Sequence, residues 1–353
     1  NKPIVRLSGL ARPGDHAAVE IEVVDNKNRG LFTRSSLLSQ PLLASVEASL
    51  ARGEQSLLYL NRRGTARLVI CENCGWQAIC PHCDIPLAYH GDSHLLRCHA
   101  CNYSSKVPTS CPVCGYTNVV YKAAGTKAVV QEIKRLMPNA RVARFDTDNL
   151  KEERFEQNYE SAKEGMIDIL VGTQMLAKGL DLPKLSTVGI VLADTSLYLP
   201  DFSASERTFQ LINQVLGRIG RGHIGGRAVI QTYTPDNPIL KAAIASDYGT
   251  FYQAELASRQ QFMFSPFCYL LKVTVRRASM DAARSAALNL REQITDSRIK
   301  ARIEGPAPSF YEKLQNRYQW QLIFKASQRS ELLKVIKELP SGFSYDIDPV
   351  DLL

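Results

Sequence analysis

With 353 residues the chain is too long for one ordinary domain and long enough to bury at least two cores. A composition of 45% hydrophobic and 22% charged residues, without a low-complexity tract, excludes a disordered or fibrous protein. No run approaches the roughly 18 uninterrupted apolar residues of a membrane span, so a cytoplasmic location with no membrane partner is expected. The formal net charge of +8 suits a polyanion partner without requiring one.

The opening NKPIVRLSGLARPG begins at Asn1 and has neither signal-peptide nor transit-peptide character. Residues 1–36 are therefore expected to be the end of a preceding lobe and its linker, inside a longer protein. SLLYLNRRG then reads as a short buried strand, Leu57 to Leu60, emptying into a polar turn with Arg62 and Arg63.

Eight of the nine cysteines follow within 71–114, in four C-x-x-C units: Cys71/Cys74, Cys80/Cys83, Cys98/Cys101 and Cys111/Cys114. Such a turn aims two thiolates at one point, and tetrahedral Zn²⁺ takes four, so four turns make two closed four-cysteine sites of structural type. An iron–sulfur cluster is the remaining metal alternative, and a disulfide framework suits secreted domains instead. The turns can be paired sequentially, interleaved or nested. Glycine follows Cys74 and Cys114, whereas Asp and Asn follow Cys83 and Cys101. Pairing like with like puts Cys71, Cys74, Cys111 and Cys114 on one metal and Cys80, Cys83, Cys98 and Cys101 on the other, closing over a loop with Tyr89, His90 and His94. The histidines His82, His90, His94 and His99 are read as bystanders or surface contacts, and Cys268, alone beside Phe267 and Tyr269, as buried and apolar.

After the cysteines the pattern alternates. Strands are expected over 119–121, 141–145, 167–171, 187–192 and 227–231, and helices over 126–137, 151–164 and 203–219. Strands alternating with helices imply a parallel sheet covered on both faces. The cysteine module thus interrupts one α/β domain, made of 37–70 and 115–236. Ligands of such sheets sit at the carboxyl ends of the strands. GTQMLAKGLD, with Thr173, Gln174, Lys178, Gly179 and Asp181, follows one strand end. Gln214, Arg218 and Arg221 share a helix face at i, i+4 and i+7, with Leu216 and Ile219 opposite, against the sheet. Two guanidiniums and an amide converging on a strand-end cleft suit a phosphate.

A long helix over 238–261 is expected to leave this lobe within a connecting segment, 237–265. Residues 266–353 read as β-α-β-β-α-β, the order of a ferredoxin-like α+β domain. From Pro266 to Ser330 there are twelve Lys/Arg against five Asp/Glu. Arg276, Arg277, Lys313, Arg317 and Lys325 are expected on a basic face suited to duplex or single-stranded DNA. Tyr311, Tyr318 and Trp320 are set either for stacking on bases or for the core.

G-T-Q-x-x-x-K-G-x-D followed by Q-x-x-G-R-x-G-R resembles motifs V and VI of superfamily-2 helicases. LNRRG at Leu60 to Gly64, the four C-x-x-C units, GTQMLAKG at Gly172 to Gly179 and SERTFQLINQV at Ser205 to Val215 are together similar to the primosomal protein N′ family, over nearly the whole chain. The resemblance implies a RecA-like second helicase lobe with an inserted module of two four-cysteine zinc sites, followed by the ferredoxin-like α+β domain. It implies ATP-dependent 3′-to-5′ unwinding at stalled or forked DNA during replication restart. Implied partners are forked and single-stranded DNA, single-strand-binding protein and primosome or helicase-loading proteins, with the protein a monomer. Arg218 and Arg221 match arginines that reach the γ-phosphate from across the lobe interface, with Gln214 orienting them. Asp181 and Gly179 match positions near the nucleotide. Arg62, Arg63, Thr126, Thr173, Gln174 and Lys178 match positions near DNA.

Neither G-x-x-x-x-G-K-[ST] nor an Asp-Glu dipeptide occurs in the sequence. ATP and Mg²⁺ are thus expected to bind only with an upstream lobe, and the chain by itself is expected to lack ATPase activity. The competing readings are a non-enzymatic zinc-ribbon adaptor for DNA or protein, and another superfamily-2 translocase.

Overall fold

The computed structural model describes residues 19–60, 69, 71, 73–82, 85–90, 94–99, 101–117, 125–145, 152–173, 182–197, 199–219 and 225–353. The chain begins with β1 (Val19–Asp25), α1 (Gln40–Ala51) and β2 (Gln55–Tyr59). Ser39 caps α1 by accepting from the Leu42 amide, and Pro41 fills the first turn, where a missing N–H costs nothing. A small sheet follows, β3 (Ala88–His90), β4 (Leu95–Arg97) and β5 (Ser104–Lys106). Next come α2 (Thr126–Leu136), β6 (Val142–Phe145), α3 (Glu152–Lys163), β7 (Ile169–Gly172) and β8 (Leu185–Ile190). Then α4 (Asp194–Leu197), α5 (Ala204–Leu216) and β9 (Gly226–Thr232) complete the lobe.

Six strands form one parallel sheet in the order β1-β9-β8-β2-β7-β6. Every residue of β2, β7 and β8 is buried, as expected where both faces of a parallel sheet are covered. One face packs Leu57, Leu170 and Val188 against Phe209, Ile212 and Val215 of α5. The other packs Leu58, Ile169 and Val171 against Leu42, Leu43 and Val46 of α1 and Val129 and Ile133 of α2. Gly189 makes the second packing possible, since a Cβ there would stand 2.5 Å from Leu42 Cδ1 and 2.8 Å from Leu58 Cδ2.

Two sequence expectations change. Residues 1–36 do not all belong to a preceding lobe and linker, because Val19–Asp25 is the edge strand of this sheet, in parallel register with Gly226–Thr232. The long helix over 238–261 is two helices, α6 (Pro238–Ile244) and α7 (Tyr248–Gln261). Ser246 adopts φ +52° between them, and Asp247 starts the second by accepting from the Thr250 amide. The strand expected at 119–121 lies outside the described residues.

The C-terminal domain runs β10 (Tyr269–Arg277), α8 (Met280–Thr295), β11 (Arg302–Leu314), β12 (Arg317–Ala326), α9 (Arg329–Lys337) and β13 (Phe343–Ile347). Its antiparallel sheet has the order β11-β12-β10-β13, the ferredoxin-like arrangement the element order implies. Trp320 is core beside Leu322 and Phe324, and Tyr318 packs against the same cluster, which leaves Tyr311, 54% exposed, as the solvent-facing aromatic of the three. Lys325 is not on the basic face. It is buried, 3.1 Å from Glu304, and donates to the Phe262 carbonyl at 3.0 Å, because its strand position faces the connecting segment rather than solvent.

Candidate metal centre and motor edges

The cysteine module repeats one local turn. The first cysteine's amide donates to the carbonyl five residues on in Cys71/Trp76, Cys80/Ile85, Cys98/Tyr103 and Cys111/Tyr116. The residue after the second cysteine bonds back, from Gly75 to Cys71, Asn102 to Cys98 and Gly115 to Cys111. That closure requires left-handed backbone, and φ is +76° at Gly75, +66° at Asn102 and +74° at Gly115, residue types that tolerate it.

These turns bring Cys71, Cys74, Cys111 and Cys114 together, and separately Cys80, Cys98 and Cys101, with the sulfurs of each group within 4.8 Å of one another. Cys83 lies outside the described residues. The arrangement is nested, outer turns together and inner turns together. Sulfur separations of 3.5 Å (Cys71–Cys114), 3.5 Å (Cys74–Cys111) and 3.6 Å (Cys80–Cys101) are far too long for disulfides. They approach the edge of about 3.8 Å that bonds of ~2.3 Å give a tetrahedral zinc–thiolate site. As bare thiols Cys74 and Cys114 are electrostatically mismatched: burial pushes Cys74 up to about 12, while hydrogen bonds from the Asn73 side chain and the Tyr116 amide hold Cys114 down to about 6. A divalent cation removes the mismatch by favouring thiolate at all four. The donor set and spacing fit zinc.

The module is fastened at both ends. On the outer side Gly75 sits against the lobe, where a Cβ would stand 2.8 Å from the Tyr233 carbonyl oxygen. Tyr233 is itself fixed, its amide donating to the buried Asp194 carboxylate, which also accepts from Thr232 Oγ1 and Thr234 Oγ1 at 2.7 Å. On the inner side His99 and His90 are buried against the C-terminal domain. His99 Nδ1 bonds the Pro308 carbonyl at 2.6 Å, Gln321 donates to the His99 carbonyl at 3.0 Å, and His90 pairs with Glu312. His90 and His99, read from sequence as bystanders or surface contacts, are thus contacts to the C-terminal domain, whereas His94 is exposed and bonds Tyr89. Asp194 and this junction were not signalled by sequence, since their partners lie 38 to 222 residues away.

The described residues of the two motifs singled out in the sequence separate onto two edges of the parallel sheet. At the carboxyl edge stand Leu60, which ends β2 with its amide on the Gly172 carbonyl, and Thr173, whose amide donates to the Phe145 carbonyl. The start of α2 joins them, with Thr126 buried behind Gly125. Arg62, Arg63, Gln174 and Lys178 lie outside the described residues. The sequence expectation of one strand-end cleft holding both motifs is corrected here. A helix linking two parallel strands must return to the amino edge, so α5 ends there, with Asn213 bonded to Ser246 at the end of α6. The helix stops at Leu216 and tightens into i→i+3 bonds through Arg218 and Ile219, which changes the regular i, i+4 spacing of Gln214 and Arg218. Ile219 is buried against the sheet and Leu216 packs on the same cluster, as expected. Gln214 is exposed and lines a 540 Å³ groove with Phe209, Tyr248, Phe251 and Tyr252. Arg221, Gly179 and Asp181 lie outside the described residues, while Leu182, next to Asp181, precedes the amino end of β8.

Three family descriptions match consecutive parts of the chain. "PriA DNA helicase Cys-rich region (CRR) domain" matches 80–106, "Helicase conserved C-terminal domain" 115–223 and "Primosomal protein N C-terminal domain" 260–350. The replication restart protein PriA of Bacillus subtilis is 36% identical over 350 residues, covering 98% of this chain and 44% of that protein. Those of Haemophilus influenzae and Treponema pallidum are 35% and 36% identical, covering 97% and 99% of this chain and 48% and 54% of theirs. The chain is a C-terminal region of the PriA family. It spans about half the length of these relatives. In this chain a helicase C-terminal lobe built on a parallel α/β sheet carries a zinc-binding Cys-rich module and leads into the primosomal C-terminal domain.

Proposed function

We propose that the chain supplies the second motor lobe, the zinc module and the C-terminal domain of an ATP-dependent 3′-to-5′ DNA helicase that acts at stalled or forked DNA and starts primosome assembly. The observation that carries the reading is the division of its motor residues between the two edges of one parallel sheet. Thr126 and Thr173 stand at the carboxyl edge, and with Arg62, Arg63, Gln174 and Lys178 they make up the set assigned to a DNA backbone. Gln214 and Arg218 stand at the amino edge, and with Arg221, Gly179 and Asp181 they make up the set assigned to nucleotide held against another lobe. There Arg218 and Arg221 stabilise charge on the transferring phosphoryl group, a role worth roughly 10³- to 10⁵-fold in other NTPases, and Gln214 orients them.

Two zinc ions, each held by four thiolates, give the module a rigid core without taking part in turnover. Cys71, Cys74, Cys111 and Cys114 hold one, and Cys80, Cys83, Cys98 and Cys101 the other. ATP and Mg²⁺ bind with the first lobe in place. Forked and single-stranded DNA, single-strand-binding protein and helicase-loading proteins are the partners of a cytoplasmic monomer. The test restores the first lobe and measures DNA-stimulated ATP hydrolysis with Arg218→Ala and Arg221→Ala. Turnover unaffected by both changes sinks the assignment, as does turnover by the chain alone comparable with an intact motor.

A further inference from the structure

The helix that leads into Arg218 is gripped at its other end by the C-terminal domain. Asp201 is buried, and its Oδ1 accepts from the Ser203 amide at 2.9 Å and the Ser203 hydroxyl at 3.1 Å, at the start of α5. Its Oδ2 accepts from the Leu352 amide at 3.2 Å. Within the first turn of α5, Arg207 Nη2 meets Asp351 Oδ2 at 2.8 Å and the Val350 carbonyl at 3.2 Å. The same segment, Val350–Leu353, is held from behind by the C-terminal sheet. Lys272 of β10 donates to the Leu353 carbonyl at 2.5 Å and Gln321 of β12 to the Leu352 carbonyl at 3.3 Å. The Leu352 side chain is buried beside Phe264, Leu270 and Ile323.

One carboxylate therefore has an oxygen on each of two bodies. Burial pushes the Asp201 carboxyl up and the Lys272 ammonium down, so neither charge is sustained by water, and each depends on its partners staying in place. Hydrogen bonds weaken steeply beyond about 3.5 Å, so a shift of the domain by a fraction of an ångström to an ångström is felt at the helix start. A 13-residue α-helix is a stiff rod of about 20 Å, and its far end carries Gln214 and leads into Arg218.

We propose that Asp201 and Arg207 are positioning residues that pass the placement of the C-terminal domain along α5 to its Gln214–Arg218 end, so that DNA held by that domain sets the rate of nucleotide turnover. The proposal rests on the motor reading above. It requires no contact of either residue with nucleotide or DNA. The segment Val350–Leu353 is the mechanical link, and Asp351, whose side chain is 38% exposed, is the link residue whose removal leaves the core intact.

The experiment uses the protein with its first lobe restored and measures ATP turnover without DNA and with saturating forked DNA, together with DNA affinity and Tm. Asp351→Ala and Arg207→Ala are expected to leave DNA-free turnover, the KM for ATP and DNA affinity unchanged, and to cut stimulation by DNA about fivefold or more, the lower range of ordinary allosteric coupling. The double variant should lose no more than either single one, and the exchanged pair Arg207→Asp with Asp351→Arg should recover part of the stimulation. Undiminished stimulation in Asp351→Ala overturns the coupling, as does a loss that is matched in DNA-free turnover. Arg218→Ala, run in parallel, separates the two readings: abolished turnover there with full stimulation in Asp351→Ala defeats only the coupling, whereas unchanged turnover in Arg218→Ala defeats the motor itself.

Discussion

Gly75 and Gly115 form a matched pair that isolates how firmly the outer turn is fastened to the lobe. Both follow the second cysteine of an outer turn, both bond back to the first cysteine, and their φ values are +76° and +74°. Substitution by alanine costs each about 1–2 kcal/mol for holding an L side chain in left-handed backbone. The surroundings differ. Among the described residues a Cβ at Gly115 meets nothing within 4 Å, whereas one at Gly75 stands 2.8 Å from the Tyr233 carbonyl oxygen and 3.4 Å from Tyr233 Cβ. That oxygen belongs to backbone pinned by the buried Asp194, so it yields little, and overpacking of this kind costs about 1–3 kcal/mol more. Chelator competition reads the cost if the turn deforms, and thermal unfolding reads it if the lobe yields. Expressed wholly as zinc affinity, Gly75→Ala should be weakened about 5- to 150-fold beyond Gly115→Ala, at 1.4 kcal/mol per tenfold. Equal losses in the two variants, in both measurements, would falsify the contact.

Gly189→Ala places a methyl against Leu42 and Leu58 in the middle of the sheet and should cost about 1–3 kcal/mol, read as a lower denaturation midpoint with unchanged m value. Zinc removal should expose 71–114 to protease before either neighbouring domain, and His99→Ala should bring that cleavage on with zinc still bound, since His99 ties the module to β11; protection identical to the unaltered chain speaks against the tie. The side-chain hydrogen bonds from Arg141, joined by its amide and its charge, hold the Asp168 carboxyl below its ordinary value, so the pair stabilises the fold above the unfolded value of 3.8 and that contribution is lost as pH falls through the lowered one. Asp168→Asn should therefore lower Tm slightly at pH 7, with the difference vanishing on acidification; a difference that persists in acid points to a cause other than ionisation.

Features that the sequence revealed were those written within a few residues. Each C-x-x-C turn with its following Gly or Asn is a local device, and α5 and α8 announce themselves by apolar spacing and by acidic residues in the first turn. What escaped was non-local. Val19–Asp25 has the alternation of a strand, but nothing near it says that its partner is Gly226–Thr232. Ser39 followed by Pro41 is a legible helix start for α1 that strand and cysteine signals overshadowed. The break at Ser246 was legible too, in Asp247 as a cap, yet a helical pattern on both sides hid it. Lys325 looks solvent-facing on its strand and is buried only because Glu304 and the Phe262 carbonyl arrive from other elements. For the site, motif order was readable, but the edge on which each motif falls follows from the direction of the helices between strands, which spacing alone does not convey.

The place of β1 has a consequence for synthesis. It is made before any other described strand of its sheet, yet its only neighbour among the described strands is β9, whose residues are Gly226–Thr232. At about 5–20 residues per second, the roughly 200 residues in between take some 10–40 s to emerge. During that time a ready-made strand waits without a partner, the circumstance in which strands of neighbouring nascent chains pair wrongly. Glu20 and Glu22 put like charge along it, which opposes self-pairing, and Arg227 later meets Glu22 at 2.6 Å. The acidic side chains thus guard the strand while it waits and help to recognise the partner that ends the wait.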